Sequence, residues 1–182
     1  MFTNYHLGIS KDAFENFNYK LDPDLNIQEV FPHFEDYMRL FKKVGSEWGW
    51  DRRPRYYNQD SLKERVDSGK LFLLKKFDEV KGYCLAIDRS DLTSQFNKHS
   101  VEEIENFGLF PEFNAQGFGK TFLPLIFNEL FKKHDYIYLS SRSTNHEKVI
   151  PFYQKLGMKT LKTEILEDDL HETPPSWSMS IN

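Results

Sequence analysis

The chain has 182 residues, 29% of them charged, and a formal net charge of -4. That length favours one domain, and 17 Phe, 9 Tyr and 3 Trp supply bulk for its core. Mild acidity with interspersed signs argues against a nucleic-acid partner, which needs a basic stripe, and against a disordered acidic tail.

The first thirty residues are rich in aromatics and resist assignment; "NFNYKL" at 16–21 is the strand candidate there. From Pro32 to Val44, Phe34, Tyr37, Met38 and Phe41 recur at spacings of three and four, the period of an amphipathic helix that Gly45 stops. "NQDSLKERVDSG" reads as a second, shorter helix ended by Gly69. "KLFLLKKF" and "VKGYCLAID" follow as strands, with Phe77-Asp78-Glu79 turning between them. Asp91 to Ser100 is polar and reads as a loop, and "VEEIENFGLF" from Val101 is another strand. Phe118 to Lys133 is a long apolar-rich helix with Pro124 inside it, where a kink or irregular turn is expected. "YIYLSS" is a strand, "EKVIPFYQKL" a helix closed by Gly157, and "MKTLKTEIL" a strand. "SWSMSI" is expected to close the sheet as an edge strand, which makes Glu164 to Glu172 the loop of a last hairpin. Antiparallel strands come first and strand–helix–strand crossovers, which need parallel pairing, come later. The expected fold class is α/β (α+β), a mixed, mostly antiparallel sheet with helices on both faces.

No stretch near the N-terminus reads as a signal peptide, and no apolar run approaches the roughly 20 residues of a membrane span. A soluble, cytoplasmic protein with no membrane partner is expected. Cys84 lies in apolar "YCLAI" and is expected to be a buried, inert thiol; a single cysteine allows no internal disulfide. The histidines are His6, His33, His99, His134, His146 and His171, and none stands at ligand spacing with a Cys or a second His, so no metal site is expected.

"PEFNAQGFGKTFL", Pro111 to Leu123, looks like a loop that holds phosphate. A P-loop NTPase is one reading, because "GKT" matches its end; the leading glycine falls on Asn114, and too little chain follows. A dinucleotide fingerprint is another; its third glycine falls on Phe122. The third fits every element. A strand ending "FGLFPEF", then Asn114-Ala115-Gln116-Gly117-Phe118-Gly119 opening a helix, resembles the coenzyme A loop of the GNAT superfamily of N-acetyltransferases, with Asn114 in place of the usual Gln or Arg. Glycine at 117 and 119 lets amide groups approach a pyrophosphate, and the helix start adds unpaired donors. Lys120 adds a charge there or is a solvated helix residue. "STNHEKVIPFYQKLGMK" resembles the family's second signature, with Tyr153 four residues before Gly157.

The resemblance implies one GNAT-like domain over 1–182, with 1–30 as an N-terminal extension or first strand and 101–161 as the coenzyme A-binding and catalytic core. It implies an acyltransferase that moves an acetyl or short acyl group from acetyl-CoA, its co-substrate, to an amine of a small molecule or peptide; a homodimer is left open. The alternative is a non-catalytic coenzyme A-binding or sensing module. The implied cofactor contacts are Leu109, Phe110, Gln116, Gly117, Phe118, Gly119, Lys120 and Thr121, with Asn145 or His146 from the second signature. The Leu109 N–H is expected to face the thioester oxygen, and the pantetheine arm to pair like an added strand. Tyr153 is the implied acid: a phenol near 10 can protonate a thiolate whose conjugate acid lies near about 8.5. Strand alternation puts Glu103, Glu105, Phe107 and Leu109 on one face, with Glu103 at the family's position for a base and Glu105 as the other candidate, on the substrate side. Trp48 and Trp50 either cage the acceptor or pack the helix end, and Arg52, Arg53 and Arg55 beside them are candidate anion hooks.

Overall fold

The structure, a computed structural model, describes residues 1–181. Strand β1 (Phe2–Ser10) opens the chain, and the Ser10 hydroxyl accepts from the Ala13 N–H at 3.2 Å to cap the short helix α1 (Lys11–Glu15). Then come β2 (Leu25–Val30), α2 (Phe34–Gly45), α3 (Pro54–Tyr57), α4 (Gln59–Asp67), β3 (Lys70–Lys76) and β4 (Glu79–Asp88). The second half holds β5 (Val101–Leu109), α5 (Gly119–Leu130), β6 (Tyr136–Arg142), α6 (Val149–Lys155), β7 (Lys159–Leu166) and α7 (Ser176–Met179). The strands of the described residues form one seven-stranded sheet in the order β2-β3-β4-β5-β6-β1-β7. Neighbours are antiparallel except β5 and β6, which pair in parallel only from Val101 to Glu103, opposite Tyr136 to Tyr138.

Alternation along the strands sorts the side chains into two cores. On one face Leu7, Ile9, Phe72, Cys84, Ile104 and Leu139 pack against Phe122, Ile126 and Phe127 of α5 and against α6. On the other, Leu71, Tyr83, Leu85 and Ile87 meet Tyr37, Met38 and Phe41 of α2 and Leu62 and Val66 of α4. The apolar stripe of α2 is the one the spacing predicts, and Glu35 and Asp36 at its start with Lys42 and Lys43 at its end suit the helix dipole. Helix α5 runs unbroken through Pro124. Cys84 is a buried free thiol, and burial pushes its pKa up. No helix among the described residues is long and apolar enough to cross a membrane.

Three expectations are corrected. Residues 16–21 form no strand; Phe17 and Tyr19 stack at 4.7 Å, and the Tyr19 hydroxyl donates to the Leu156 carbonyl at 2.8 Å, so these aromatics pack on α6. "SWSMSI" is the helix α7, not an edge strand: the Trp177 indole donates to the Tyr57 carbonyl at 3.1 Å, and the Lys42 ammonium donates to the carbonyls of Ser178 and Ile181 at 2.9 and 2.7 Å. No hairpin follows β7 either: the chain beyond Leu166 turns to Arg142, Tyr57 and Arg52, and the one neighbour of β7 in the described sheet is β1, antiparallel to both β6 and β7. The β6–α6–β7 crossover therefore brackets β1 instead of pairing its own strands. The physical reason lies in burial: β1 carries Leu7 and Ile9 for the core, while β7 is exposed at nearly every position and suits an edge.

At the far end of β4 and β5, Asp88, Glu102 and His134 bring ligand-type atoms within 4.8 Å of one another. The Lys70 ammonium already sits among them, 2.8 Å from Glu102 and 3.4 Å from the His134 ring, and supplies the positive charge this cluster needs.

The β4–β5 pair is closer than any side chain allows at one point. A Cβ at Gly82 would lie 2.2 Å from the Gly108 carbonyl oxygen and 2.8 Å from the Leu109 Cα, both backbone atoms. Gly82→Ala is therefore expected to cost about 1–3 kcal/mol of stability, read as a lower urea midpoint. An unchanged midpoint refutes the close approach.

Candidate functional site

After Glu103 and Tyr138 the parallel pair separates, and a cavity of about 650 Å³ fills the gap between β5 and β6. Within the described sheet, β5 then pairs only with β4 and β6 only with β1. Within β5, Ala86 faces Ile104 and Leu85 faces Asn106, so Glu105 is an extra residue, a β-bulge. The bulge corrects the expected alternation. Glu103 and Glu105 lie on the α2 side together with Asn106, which bonds Tyr37 and Tyr56, whereas Phe107 and Leu109 turn to the α5 and α6 side.

The two carboxylates sit in an arginine network. Arg55 Nη2 donates to Glu103 Oε1 at 3.1 Å and also to Glu105; Arg89 donates to Glu103, and Arg65 Nη1 lies 3.3 Å from Glu105 Oε1. Glu103 has 2% of its side chain exposed and does not line the cavity; Glu105 does line it. Burial holds the Glu105 carboxyl above the usual carboxylate range, against the pull of Arg55 and Arg65. On the opposite wall Tyr153 of α6 reaches the cavity, its hydroxyl bonded to nothing among the described residues. Burial pushes its phenol well up, so it stays protonated across the neutral range.

The glycine loop closes one end. Ala115 and Gly117 have φ of 60° and 83°, and the N–H groups from Ala115 to Gly119 bond to nothing among the described residues before α5 begins. A Cβ at Gly117 would meet no atom within 4 Å, so glycine serves its positive φ and an open approach. Gly119 has a different reason: a Cβ there would lie 3.1 Å from the Phe152 ring.

The Trp48–Trp50 loop also lines the cavity. Asn145 fastens it: its Oδ1 accepts from the Trp50 indole at 3.2 Å and from Arg53 Nη2 at 2.8 Å, and its Nδ2 donates to Ser141 at 3.0 Å. Trp50 also packs on Phe41 at 5.7 Å, and Trp48 meets the His146 ring edge-on at 5.9 Å.

Of the residues singled out from the sequence, Trp48, Trp50, Glu105, Leu109, Gly117, Gly119, Lys120, Asn145, His146 and Tyr153 all line this cavity. Six others lie outside it, Arg52 among them. Glu103 is held between arginines, and Phe110 is buried, its ring 3.8 Å from the Lys43 ammonium. Gln116 donates to the Glu112 carbonyl at 2.9 Å, Phe118 meets the Phe122 ring at a tilt with centres 6.2 Å apart, and Thr121 is buried. Sequence reasoning missed Phe2 and Asn4, which β1 carries to the wall, and Asn106, which follows Glu105 in a strand already rich in polar residues and had no signal of its own.

A family model described as "Acetyltransferase (GNAT) family" matches residues 28–158, and the chain belongs to that family. No curated protein sequence matches it. Among solved structures, it is similar to a GCN5-related N-acetyltransferase from Sphaerobacter thermophilus, with 11% identity, a TM-score of 0.57, and 89% of this chain and 49% of that one covered. It is similar to an aminoglycoside acetyltransferase from an uncultured soil metagenomic sample, with 11% identity, a TM-score of 0.54, and 85% and 99% covered. It is also similar to a transcriptional regulator from Bacillus halodurans C-125, with 18% identity, a TM-score of 0.59, and 79% and 98% covered. Identities this low carry the fold alone. The chain spans 48% to 61% of the length of five of the solved structures it resembles.

Asn145 ties three elements with one amide. Asn145→Ala is expected to leave the Trp50 and Arg53 donors without an acceptor and to lower stability by about 1–3 kcal/mol. Thermal unfolding and acrylamide quenching of tryptophan read this out; an unmoved midpoint with unchanged quenching refutes the tie.

Proposed function

We propose that this GNAT acetyltransferase moves an acetyl or other short acyl group from acetyl-CoA to the amine of a small-molecule or peptide acceptor. One observation carries the reading: a protonated phenol, a buried carboxylate and a loop of unpaired amides face one cavity at the only parting in the sheet of the described residues. Acetyl-CoA supplies the activated acyl group as a thioester. The free N–H groups of Ala115 to Gly119, the start of α5 and Lys120 suit a pyrophosphate. The inner edge of β5 beyond Glu103 suits the amides of an extended arm, which would add to it as a strand does.

Glu105 is assigned the base, because it lines the cavity and Glu103 does not. It takes the ammonium proton, directly or through a water, so that the amine attacks neutral. Glu103 is a positioning residue that holds Arg55 against Glu105. The new N–C bond forms as the C–S bond breaks; the Tyr153 hydroxyl gives its proton to the leaving sulfur, and the second proton, which the nitrogen loses as the amide forms, passes through water to restore the phenol. Leu109 lines the cavity on β5, where its backbone can meet the thioester oxygen.

Tyr153→Phe is expected to lower kcat by about 10²–10⁴-fold with the KM for acetyl-CoA changed by only a few-fold, measured as thiol release. A drop below a few-fold makes Tyr153 a packing residue. A protein that binds acetyl-CoA yet turns over no amine is a sensor, and that result defeats the transferase reading.

The pH dependence of Glu105 has a definite sign. Its folded value lies above the ordinary 4.5, so folding favours the protonated form. Its contribution to stability is greatest below 4.5 and falls as pH rises through the folded value. Activity moves the opposite way, rising as the carboxylate forms. Glu105→Gln is expected to flatten the stability decline and to remove the lower limb of the rate profile. If Glu103→Gln alters the rate limb and Glu105→Gln does not, the assignment is reversed.

A further inference from the structure

Three arginines follow Trp50, and the fold treats them differently. Arg55 is neutralised by Glu103 and Glu105. Arg52 is partly exposed to solvent. Arg53 is 8% exposed, lines the cavity, and has no carboxylate partner among the described residues. A guanidinium offers five N–H donors. That of Arg53 makes a single hydrogen bond, from Nη2 to Asn145 Oδ1 at 2.8 Å, and its Nε is buried with no acceptor at all. The Trp50 ring, 5.9 Å away, is its one aromatic neighbour of the cation–π kind among the described residues. Arg142, also on the cavity wall, already holds Asp169 at 2.6 and 3.2 Å. A cation taken out of water without a counter-ion is unfavourable unless something pairs with it. The guanidinium is lowered to about 10, by burial first and by Arg142; Tyr56 and the Asp169 carboxylate, which Arg142 holds, pull the other way without bonding to it.

We infer that Arg53 pairs with a carboxylate of the acceptor, which makes the acceptor an amine with one negative charge and an apolar body: a free amino acid or a peptide with its carboxyl end in the cavity. This rests on the acyl-transfer reading. The loop from Ala115 to Gly119 and Lys120 answer for the phosphates of the co-substrate, so Arg53 is left for the acceptor. One unpaired guanidinium suits a monoanion, and its planar fork matches a carboxylate. The rings of Trp48, Trp50 and Tyr56 line the same wall and suit an apolar body. Asn145 fixes the Arg53 head, so the pairing needs little further ordering.

The test compares phenylalanine, tryptophan and leucine with their amides and with the corresponding decarboxylated amines, by thiol release from acetyl-CoA. At least one acid is expected to exceed its amide in kcat/KM by about tenfold or more, as for a lost partner of a buried charge. Arg53→Gln is expected to bring that ratio near one, and Arg53→Lys to keep part of it. Equal use of acid and amide by the native protein overturns the inference while transfer itself stands, and that outcome needs no variant to fold. If no amine at all is acetylated, the transfer reading fails, and a binding readout decides on Arg53. Phenylacetate, phenylpropionate and 4-methylpentanoate are then expected to raise the thermal midpoint of the native protein, their amides not, and Arg53→Gln to abolish the rise. No rise with any of the carboxylates overturns the Arg53 assignment.

Discussion

Strands β5 and β6 share a ladder for three residue pairs and then part, and each keeps only its outer neighbour. Beyond Glu103 their inner edges present backbone donors and acceptors with no strand opposite. Such groups require a partner, which water or an extended ligand must supply. The parting is held open from both faces. Helix α2 and the Trp50 loop brace one side, and α5 with α6 braces the other. The brace is tight: a Cβ at Gly45 would lie 2.3 Å from the Trp50 ring, so the end of α2 admits only glycine beneath that indole. The Glu105 bulge belongs to the same device. One extra residue turns Phe107 and Leu109 to the α5 and α6 side while Glu103 and Glu105 stay on the α2 side.

Charge inside this fold is spent in three distinct ways. Around Glu103 and Glu105, three guanidinium groups surround two carboxylates, so a buried negative charge has more than enough partners. Desolvation outweighs them at Glu105, whose proton is held more firmly than usual. Around Glu102 an ammonium and an imidazole do the same work in a cluster away from the cavity. Arg53 is the exception, a buried cation in the cavity wall with an amide in place of an anion. A buried ion pair is weak support for stability but strong support for a defined geometry, and the difference between paired and unpaired arginines on one loop is a difference in what each is for.

Local patterns were legible in the sequence. The three-and-four spacing of α2, the β3–β4 hairpin with its turn at Phe77, and the strand–loop–helix around Gly117 each depend on residues close together in the chain. What escaped depends on distant ones. "FTNYHLGIS" alternates too poorly to announce a strand, because its Asn4 and His6 face a polar wall and its Gly8 sits under the Tyr136 ring. The bulge at Glu105 leaves no local mark, since only the partner register on β4 reveals it. The two glycines of the loop look alike in the sequence and differ in cause, one set by backbone angle and the other by an aromatic ring brought from α6. "SWSMSI" has the alternation of a strand, but the chain before it turns away from β7 to Arg142, Tyr57 and Arg52.

Both ends of the chain converge on the cavity. Phe2 and Asn4 reach it on β1, and Leu166 reaches it at the end of β7. The segment beyond Leu166 then straps across the opening: Asp169 holds Arg142, the His171 ring stacks on Tyr57 at 3.6 Å, and the His171 N–H donates to the Arg52 carbonyl at 2.9 Å. It ends on α2, where Lys42 holds it. The Arg142 guanidinium in turn lies 4.3 Å from the Phe2 ring centre, so it joins the first strand to the segment that follows the last. The stretch 101–161 therefore carries the loop, the carboxylates and the phenol but not the walls. Closing those walls joins residues more than a hundred positions apart, for which loop-closure entropy is lost before any contact compensates. The site forms only when the whole chain does, and its chemistry is coupled to global stability through Arg142 and Asn145 rather than housed in a core that folds alone.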